Sequence, residues 1–547
     1  MPVLNWIGKE SIVNHDKEIP FRLLKKIKTH SVGDSENMII EGDNLEGLKT
    51  LMPYYQNKIK CIYIDPPYNT GSEHWIYNDN VNSPKIRKWI GDVVGIEGED
   101  LTRHDKWLCM MYPRLKFLRE LLKENGIIFV SIDDNEISNL KLLMDEIFGE
   151  ENYLVSFYVQ VRYEGKTLVE DSDFQKLIET VLVYGKTSKS KLNRRLLDYS
   201  NEKFIWKIKE SVTYTTITLA GKRVDIFKKN NYKIVQDIPS KHNLKEIWAS
   251  GKILEGNSSG RFFRDYLIPR QSKDELGTLY KVYGIGDDIY DYRYFTGPKK
   301  EGATKGKYYQ GVPKDIFKNF ETHKKSLPLE NYFNYSDSFG NCRLEGGVDF
   351  RSGKKPVVFL KHLFEMALDD NEDCIILDSF AGSGSTGHAV LQLNKERKQN
   401  HKFILIELES EIAQKITSKR MSNVIKSDYH ESSFQYCILS KPLFDKDGKI
   451  DEDCSFEDLA SYVYFTETKM IFDKKIINKN FIGEQSETKY YLIFRGIGKN
   501  TLDMKFLKGF DKKERKVIYA DNCTVSEDEL ERYSTTFKQI PYEVRVF

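Results

Sequence analysis

Cysteine is sparse in this chain of 547 residues, and its distribution argues against two kinds of site. The seven cysteines are scattered singly, without a C-x-x-C pair, at positions 61, 109, 342, 374, 437, 454 and 523. This spacing disfavours a disulfide framework and a structural zinc site, and it is typical of proteins from a reducing compartment. No cluster of His, Cys and Asp has metal-ligand spacing, so we expect no metal.

Long apolar runs and an excess of either charge are also missing. No apolar stretch approaches the length that spans a bilayer, and the first residues lack the apolar core of a signal peptide. We therefore expect a cytoplasmic protein without a membrane partner. The 84 basic and 82 acidic residues leave a net charge of +2, so a nucleic-acid-binding surface would have to arise from local sorting of charge.

The tetrad Asp65-Pro66-Pro67-Tyr68 is the strongest candidate for a chemical site. It follows the run 61–64, whose apolar and β-branched residues predict a buried strand. That strand would deliver Asp65 to the carboxyl edge of a sheet, where α/β proteins bind ligands. The prolines remove two backbone donors and leave carbonyl acceptors, while Tyr68 offers a ring for stacking. Such a loop could bind the exocyclic amine of a flat base. The alternative interpretation is a plain proline turn with a capping Asp, which has the same sequence pattern.

Strand–helix alternation over 38–148, and again over 357–407, predicts an α/β fold with a mostly parallel sheet. The length predicts several domains. We expect an N-terminal arm (1–34), a catalytic half of the sheet domain (35–154), an insert (155–342), a cofactor-binding half (343–428) and a small α+β C-terminal domain (429–547).

The insert 155–342 differs in composition from its flanks. It is rich in Lys, Arg, Tyr and Asn, has weak periodicity and contains a glycine-rich turn at 256–260. Basic residues interleaved with aromatics, as in the run 287–294, suit phosphate contact and base stacking. An irregular domain with a solvated surface explains the composition equally well. A polar stretch after Gly71 predicts a mobile loop.

A second candidate site is the glycine loop, residues 382–387, which lies between a predicted strand and a predicted helix. Gly382, Gly384 and Gly387 satisfy G-x-G-x-x-G, and Glu407 ends the next strand about 20 residues later. Glycines let the backbone approach a ligand, and a carboxylate at that strand end can accept both ribose hydroxyls. The pattern predicts a nucleotide cofactor, and both a dinucleotide and S-adenosylmethionine fit it.

Two features favour S-adenosylmethionine. Asp378 and Phe380 introduce the glycine loop with an acid and with a ring that can pack against a single adenosine. The chain also carries the amine grip around Asp65, which a dehydrogenase does not need. We therefore predict S-adenosylmethionine as the cofactor, with a dehydrogenase as the remote alternative.

The order of these motifs, D-P-P-Y before F-x-G-x-G with a basic region between them, resembles the β-class amino methyltransferases of DNA. Further stretches are similar to the modification (Mod) subunits of type III restriction–modification systems, namely 4–10, 39–45, 129–136 and 537–542. The resemblance covers nearly the whole chain except the insert. It implies a Rossmann-like methyltransferase fold with circularly permuted motif order and an inserted target-recognition domain.

The resemblance also implies roles for single residues. Asp65 and the Pro66 carbonyl would accept the two hydrogens of adenine N6, Pro67 completes the motif and Tyr68 would stack on the ring. The cofactor-binding residues implied are Asp43, Lys355, Pro356, Asp378, Phe380, Gly382, Gly384 and Glu407. Among them, Glu407 would hold the ribose, Lys355 and Pro356 the methionine end, and Asp43 would lie near the cofactor adenine.

The function implied is methyl transfer to N6 of an adenine flipped out of double-stranded DNA. Asp65 favours adenine, because family members that act on cytosine N4 more often carry Ser at that position. The implied partners are a second copy of the chain and a helicase–nuclease (Res) subunit. Two alternatives stay open: a recognition subunit that mainly directs the helicase–nuclease, and a methyltransferase for RNA or protein amides.

Overall fold

The computed structural model describes residues 4–70, 102–165, 173–250, 258–351, 353–369, 371–444, 449–451, 454–468, 470 and 479–542. The polar stretch after Gly71 and the first two residues of the predicted turn at 256–260 lie outside these residues, and the other three begin the helix Ser258–Phe262. The chain forms two compact units. The first combines Met1–Asn193 with Glu330–Phe547, and the second is Arg194–Leu329.

The first unit is built on a ten-stranded mixed sheet. From one edge to the other, its strands are Phe21–Lys26, Gln435–Phe444, Met38–Glu41, Lys402–Glu407, Ile375–Asp378, Ile59–Ile64, Leu122–Ile132, Ile178–Gly185, Tyr153–Gln160 and Tyr332–Asn334. The six strands from Gln435–Phe444 to Leu122–Ile132 are mutually parallel, and Ile178–Gly185 runs antiparallel to its neighbours. The predicted α/β fold is confirmed.

Apolar strands and amphipathic helices explain this layering. The central strand Ile59–Ile64 is buried at every position, as expected where helices cover both faces of a parallel sheet. The helices that pack together in two groups are Asn44–Tyr55, Arg103–Leu121 and Ile137–Phe148, and then Val357–Ala367, Ser385–Arg397 and Ser418–Ser427. None of the helices in the described residues is both long and apolar enough to cross a membrane.

The two halves of the sheet domain meet at its centre. Strand Ile375–Asp378 pairs in parallel with Ile59–Ile64, with Leu377 opposite Ile62. Parallel pairing brings the carboxyl ends of both strands to one edge. The tetrad and the glycine loop therefore lie side by side, although some three hundred residues separate them.

The second unit contains fewer residues than the predicted insert of 155–342. Strand Ile178–Gly185 pairs with Leu122–Ile132, and Tyr153–Gln160 pairs with Ile178–Gly185, so both extend the main sheet. Tyr332–Asn334 pairs in turn with Tyr153–Gln160. Only Arg194–Leu329 forms a compact unit of its own.

That second unit contains an eight-stranded antiparallel sheet, which the weak periodicity of the insert did not predict. Its strands, in order, are Tyr232–Gln236, Phe204–Glu210, Leu244–Ser250, Lys305–Gln310, Tyr292–Thr296, Leu279–Tyr283, Lys222–Phe227 and Thr215–Leu219. A two-stranded ribbon pairs Arg195–Asp198 with Lys324–Leu327. Within the charged aromatic run 287–294, Arg293 is buried and pairs with Asp288 at 3.0 Å, so part of that run belongs to the core.

The C-terminal segment contributes one strand, Gln435–Phe444, to the main sheet. Beyond it, helix Phe456–Thr468 precedes a four-stranded sheet of Phe481–Gln485, Thr488–Leu492, Arg515–Ala520 and Thr535–Gln539. The predicted α+β character is present. Tyr462, Leu492 and Tyr519 share a hydrophobic core with the main sheet domain, so the segment belongs to the first unit.

Candidate active site

Asp65 lies immediately after strand Ile59–Ile64, and its side chain is almost entirely buried. The Tyr68 hydroxyl donates to Asp65 Oδ1 at 2.8 Å. The Lys355 ammonium lies 3.2 Å from the other oxygen, Oδ2. Both oxygens of the carboxylate therefore have a donor, one from the tetrad and one from the other half of the chain.

Lys355 stands directly before Pro356, the N-cap residue of helix Val357–Ala367. Its ammonium donates to the Tyr68 hydroxyl at 2.8 Å and lies 5.1 Å from the centre of the Tyr68 ring. The resemblance assigned Lys355 and Pro356 to the methionine end of the cofactor. The structure brings the Lys355 ammonium into contact with the tetrad.

Glu179 is a member of this site that the sequence did not reveal. Its Oε2 accepts from the Lys355 ammonium at 2.8 Å and lies 3.0 Å from the Tyr68 hydroxyl oxygen, so it is an alternative acceptor to Asp65 for the single hydroxyl proton. Glu179 lies at the start of strand Ile178–Gly185, which the sequence placed in the insert. The available signal was a lone carboxylate before the apolar run 181–184, a pattern common to many strands. Asp65, Tyr68, Glu179 and Lys355 form what we call the Asp65 cluster.

Burial controls the charges of this cluster. It raises the pKa of Asp65 to about 6; Lys355 opposes that rise and Glu179 adds to it. For Lys355, burial alone would lower the pKa, but the carboxylates of Asp65 and Glu179 raise it above its ordinary value. The ammonium therefore stays charged at neutral pH, where Asp65 is largely ionised.

Two buried anchors hold the backbone of the tetrad loop. The Trp107 indole donates to the Pro67 carbonyl at 2.7 Å. Asn69 adopts a left-handed φ of 58°, and its side-chain amide donates to the fully buried Glu136. No donor to the Pro66 carbonyl occurs among the described residues. The loop is rigid at Pro67 and Asn69 and keeps one carbonyl acceptor beside Asp65.

The glycine loop is shaped by positive φ angles at Gly382 (50°) and Gly384 (77°). A Cβ on Gly384 would lie 3.0 Å from Thr417 Cγ2, and the Thr417 hydroxyl donates to the Gly382 carbonyl at 2.6 Å. A larger residue at Gly384 would be strained and crowded. Gly387 differs, because it lies inside helix Ser385–Arg397 with Met421 and Leu405 around it.

Two buried carboxylates support the glycine loop. Asp378 accepts from the Phe380 amide at 3.0 Å and from the Thr386 hydroxyl at 2.6 Å. Glu407 accepts from the amides of Gly382 at 2.8 Å and Glu409 at 3.0 Å. Burial raises the pKa of each acid to about 7.

The remaining predicted residues lie at the same edge of the sheet. The Phe380 ring is partly buried against the core. Asp43 caps helix Asn44–Tyr55 by accepting from the Leu45 amide at 2.8 Å, and it pairs with Arg114 at 3.4 Å. The preceding Gly42 amide donates to the Glu407 carbonyl at 3.0 Å, which puts the cap beside the Glu407 strand end.

A cavity of about 430 Å³ adjoins the Asp65 cluster at Glu179. Its aromatic lining consists of Tyr163, Phe339 and Phe350, and its basic lining of Arg162, Arg343, Arg351 and Lys354. This volume lies within the range of about 300–1,000 Å³ typical of small-molecule sites. The cavity places aromatic walls and basic side chains beside the Glu179 carboxylate of the Asp65 cluster.

Comparison with known proteins bears on this site. The family model described as DNA methylase matches residues 59–419, which contain the tetrad, the second unit and the glycine loop. The chain is 31% identical over 466 residues to the EcoPI Mod subunit, a type III restriction–modification enzyme of Escherichia phage P1, covering 77% of this chain and 68% of that one.

Two further proteins are similar to this chain. The StyLTI Mod subunit of Salmonella typhimurium, also type III, is 31% identical over 401 residues, covering 71% of this chain and 54% of that one. The type II methyltransferase M.KpnI of Klebsiella pneumoniae is 30% identical over 399 residues, covering 70% and 84%. The resemblance to Mod subunits inferred from the motifs is confirmed, and the chain spans between about half and two thirds of the length of these Mod relatives.

Proposed function

The chain belongs to the DNA methylase family, and we propose that it transfers a methyl group from S-adenosylmethionine to N6 of an adenine in DNA. The observation that carries this proposal is the Asp65 cluster beside the glycine loop. A buried acceptor for an amine and a nucleotide-type loop meet at one edge of the sheet. Separately, each motif is common; together they suit transfer between a cofactor and a base.

The residues around the glycine loop suit S-adenosylmethionine. Gly382 and Gly384 give the loop its positive-φ turn, and the Glu407 carboxylate at the adjoining strand end has about four lone-pair sites, so it can accept a ribose hydroxyl in addition to backbone amides. The Ser379 hydroxyl is buried without a hydrogen-bond partner among the described residues, so a ligand atom could satisfy it. Phe380 offers a ring for the adenine. We assign the ribose to Glu407 and the adenosine to the side of Phe380.

Hydrogen bonds to Asp65 and to the Pro66 carbonyl would make the adenine amine a better nucleophile. The lone pair of adenine N6 is delocalised into the ring, so this nitrogen is a poor nucleophile. Hydrogen bonds from both N–H groups to the two acceptors favour a tetrahedral nitrogen with its lone pair projecting from the ring. When bound, S-adenosylmethionine supplies a methyl group activated by its sulfonium charge. The protein contributes position and negative charge at Asp65, where the nitrogen becomes positive.

The substrate base has to leave the duplex, because a paired adenine cannot present N6 to a buried carboxylate. Extrusion costs a few kcal/mol. Stacking on Tyr68 offsets part of that cost, at about 1–3 kcal/mol for a base on an aromatic ring. The cavity beside Glu179 supports this step, since its aromatic walls match a base and its arginines match the flanking phosphates.

We assign DNA recognition to the unit Arg194–Leu329. Lys203, Lys245 and Lys325 are near one another, and no ion pair involves them among the described residues. Burial, and then the charges of Lys203 and Lys325, lower the pKa of Lys245. Like charges kept together at a structural cost are typical of a phosphate-binding surface.

Two of the relatives are Mod subunits of type III enzymes, which supports an assembly with a helicase–nuclease subunit and a second copy of this chain. The M.KpnI relative works as a type II methyltransferase, so similarity alone does not choose between the two systems. We propose the type III role because the similarity to Mod subunits extends over more of this chain.

The test is to incubate the purified protein with unmethylated genomic DNA and S-adenosylmethionine and to map modified bases by direct sequencing. The expected result is N6-methyladenine in one short motif, which disappears with the Asp65→Ala variant. Methylcytosine would overturn the choice of base. DNA left unmodified by protein that still binds the cofactor would overturn the methyltransferase proposal and favour a recognition subunit.

A further inference from the structure

In the structure, Asp65 already accepts hydrogen bonds at both oxygens. Tyr68 donates to Oδ1 at 2.8 Å, and Lys355 lies 3.2 Å from Oδ2. The proposed reaction requires Asp65 to accept from an amine of the substrate. Each oxygen keeps a further lone pair, so the amine can bind, but it then competes with a buried hydroxyl and a buried ammonium for the negative charge of the carboxylate.

Glu179 is a second acceptor for the same two donors. One of its oxygens, Oε2, accepts from Lys355 at 2.8 Å and lies 3.0 Å from the Tyr68 hydroxyl oxygen, where it can accept the hydroxyl proton in place of Asp65. Asp65 and Glu179 thus share both donors. Neither donor has to travel far to leave Asp65, because each already contacts the other carboxylate.

The backbone holds Glu179 in this position. Its neighbour Thr180 pairs with Ile132 on one side of the strand, and Glu179 itself pairs with Val159 on the other. Pairing on both sides fixes the Cα of Glu179, whereas the tetrad loop carries Tyr68 outside any strand. Glu179 is fixed by its strand, and the Tyr68 hydroxyl can direct its proton to Asp65 or to Glu179 without movement of the loop.

The charges of the cluster also support a role for Glu179 as the second acceptor. The cluster contains two carboxylates and one ammonium, so an ammonium that moves toward Glu179 leaves Asp65 with uncompensated negative charge. That charge attracts the amine nitrogen as it becomes positive during methyl transfer. Glu179 keeps Lys355 within the cluster, so the buried ammonium never loses a partner.

We propose that Glu179 is a positioning residue that holds the Tyr68 hydroxyl and the Lys355 ammonium while Asp65 binds the substrate amine. This inference rests on the proposed function. Without Glu179, both donors stay on Asp65 and compete with the adenine. Glu179 also fixes the Tyr68 ring through its hydroxyl, in the orientation that a stacked base needs.

The test compares Glu179→Gln and Glu179→Asp with the native protein in single-turnover methylation of a duplex that contains the mapped motif. Glu179→Gln should lower the rate of methyl transfer by about 10- to 100-fold, the equivalent of one hydrogen bond to a charged group, with little change in KM for DNA or in cofactor affinity. Glu179→Asp should recover part of the rate because it restores the charge. Glu124→Gln, at an exposed carboxylate that pairs with Lys189, is the matched control.

A double-mutant cycle with Tyr68→Phe distinguishes positioning from a purely structural role. If the Tyr68 hydroxyl competes for Asp65 when Glu179 is lost, its removal should make the Glu179→Gln effect at least about threefold smaller. Equal effects in both backgrounds, or a Glu179→Gln rate equal to the native rate, would overturn the inference while native activity upholds the proposed function. A native protein that methylates no adenine would overturn both.

Discussion

The Lys355 ammonium donates to the Tyr68 hydroxyl at 2.8 Å, although 287 positions separate the two residues in the sequence. This contact joins the first half of the sheet domain to the second. Neither half contains the whole Asp65 cluster, because Asp65 and Tyr68 come from the first half, Glu179 from the strand Ile178–Gly185 that extends the sheet, and Lys355 from the second half. A chain whose motifs are permuted can build one site only if its two halves pair correctly at the centre of the sheet.

Asp65→Asn should abolish most of the methyl transfer and spare cofactor binding. The amide offers one acceptor and adds a donor, so it cannot hold the amine as the carboxylate does. We expect kcat to fall by about 10²–10⁴-fold. Transfer of labelled methyl groups and calorimetric binding of S-adenosylmethionine measure the two effects. Asp134→Asn, at an exposed acid near the same edge, should change neither, and joint loss of binding and transfer in Asp65→Asn would indicate misfolding.

Glu407 should make the protein less stable as the pH rises. Its folded pKa of about 7 exceeds its ordinary value of 4.5 because of burial, so the native state holds a proton that the unfolded chain releases. The stabilisation is complete below about pH 4.5 and is lost as the pH rises through 7, by about 3 kcal/mol. Urea midpoints at pH 5 and pH 8 measure this loss.

Glu407→Gln should flatten that pH dependence, because it removes the titrating group. The exposed acid Glu372 provides the control, since Glu372→Gln should keep the native slope. An unchanged slope in Glu407→Gln would mean that Glu407 ionises normally in the folded protein. Asp378, whose pKa burial also raises to about 7, should account for much of the slope that remains.

Trp107→Phe should loosen the tetrad loop. The indole donates to the Pro67 carbonyl at 2.7 Å from a fully buried position, and phenylalanine leaves that acceptor without a partner. We expect about 1–3 kcal/mol of lost stability, and a lower kcat at unchanged cofactor affinity. Trp6→Phe is a suitable control because Trp6 donates to Cys109 and not to the loop. A normal kcat in Trp107→Phe would show that the loop holds its geometry without this bond.

Replacing Lys203 and Lys245 with glutamine should weaken DNA binding without affecting cofactor binding. Each lysine that contacts a phosphate should contribute about 1 to the slope of log affinity against log salt. Fluorescence anisotropy of labelled duplex over a series of salt concentrations measures that slope. Lys228→Gln is the matched control, because Lys228 is exposed and already pairs with Glu275. Equal slopes for all variants would place the phosphate contacts elsewhere.

Local sequence patterns were sufficient to predict a strand or helix where that element is surrounded by apolar residues. The run 61–64 belongs to a strand observed at Ile59–Ile64, and the apolar spacing after Arg103 predicted a helix observed at Arg103–Leu121. The strands of the second unit escaped prediction. Several of them are half exposed and carry Lys, Tyr and Thr, so they lack the apolar runs that periodicity detects.

The sequence by itself determined the chemistry available at the two loops: a carboxylate and a ring after one strand, and glycines and a second carboxylate around another. Those features depend on neighbouring residues and on backbone preference, which are local. Only the tertiary structure decided that Glu179 and Lys355 join Asp65, and that the strand carrying Glu179 belongs to the main sheet. Such contacts depend on pairing between strands far apart in the chain, and no local pattern of residues encodes which strands become neighbours.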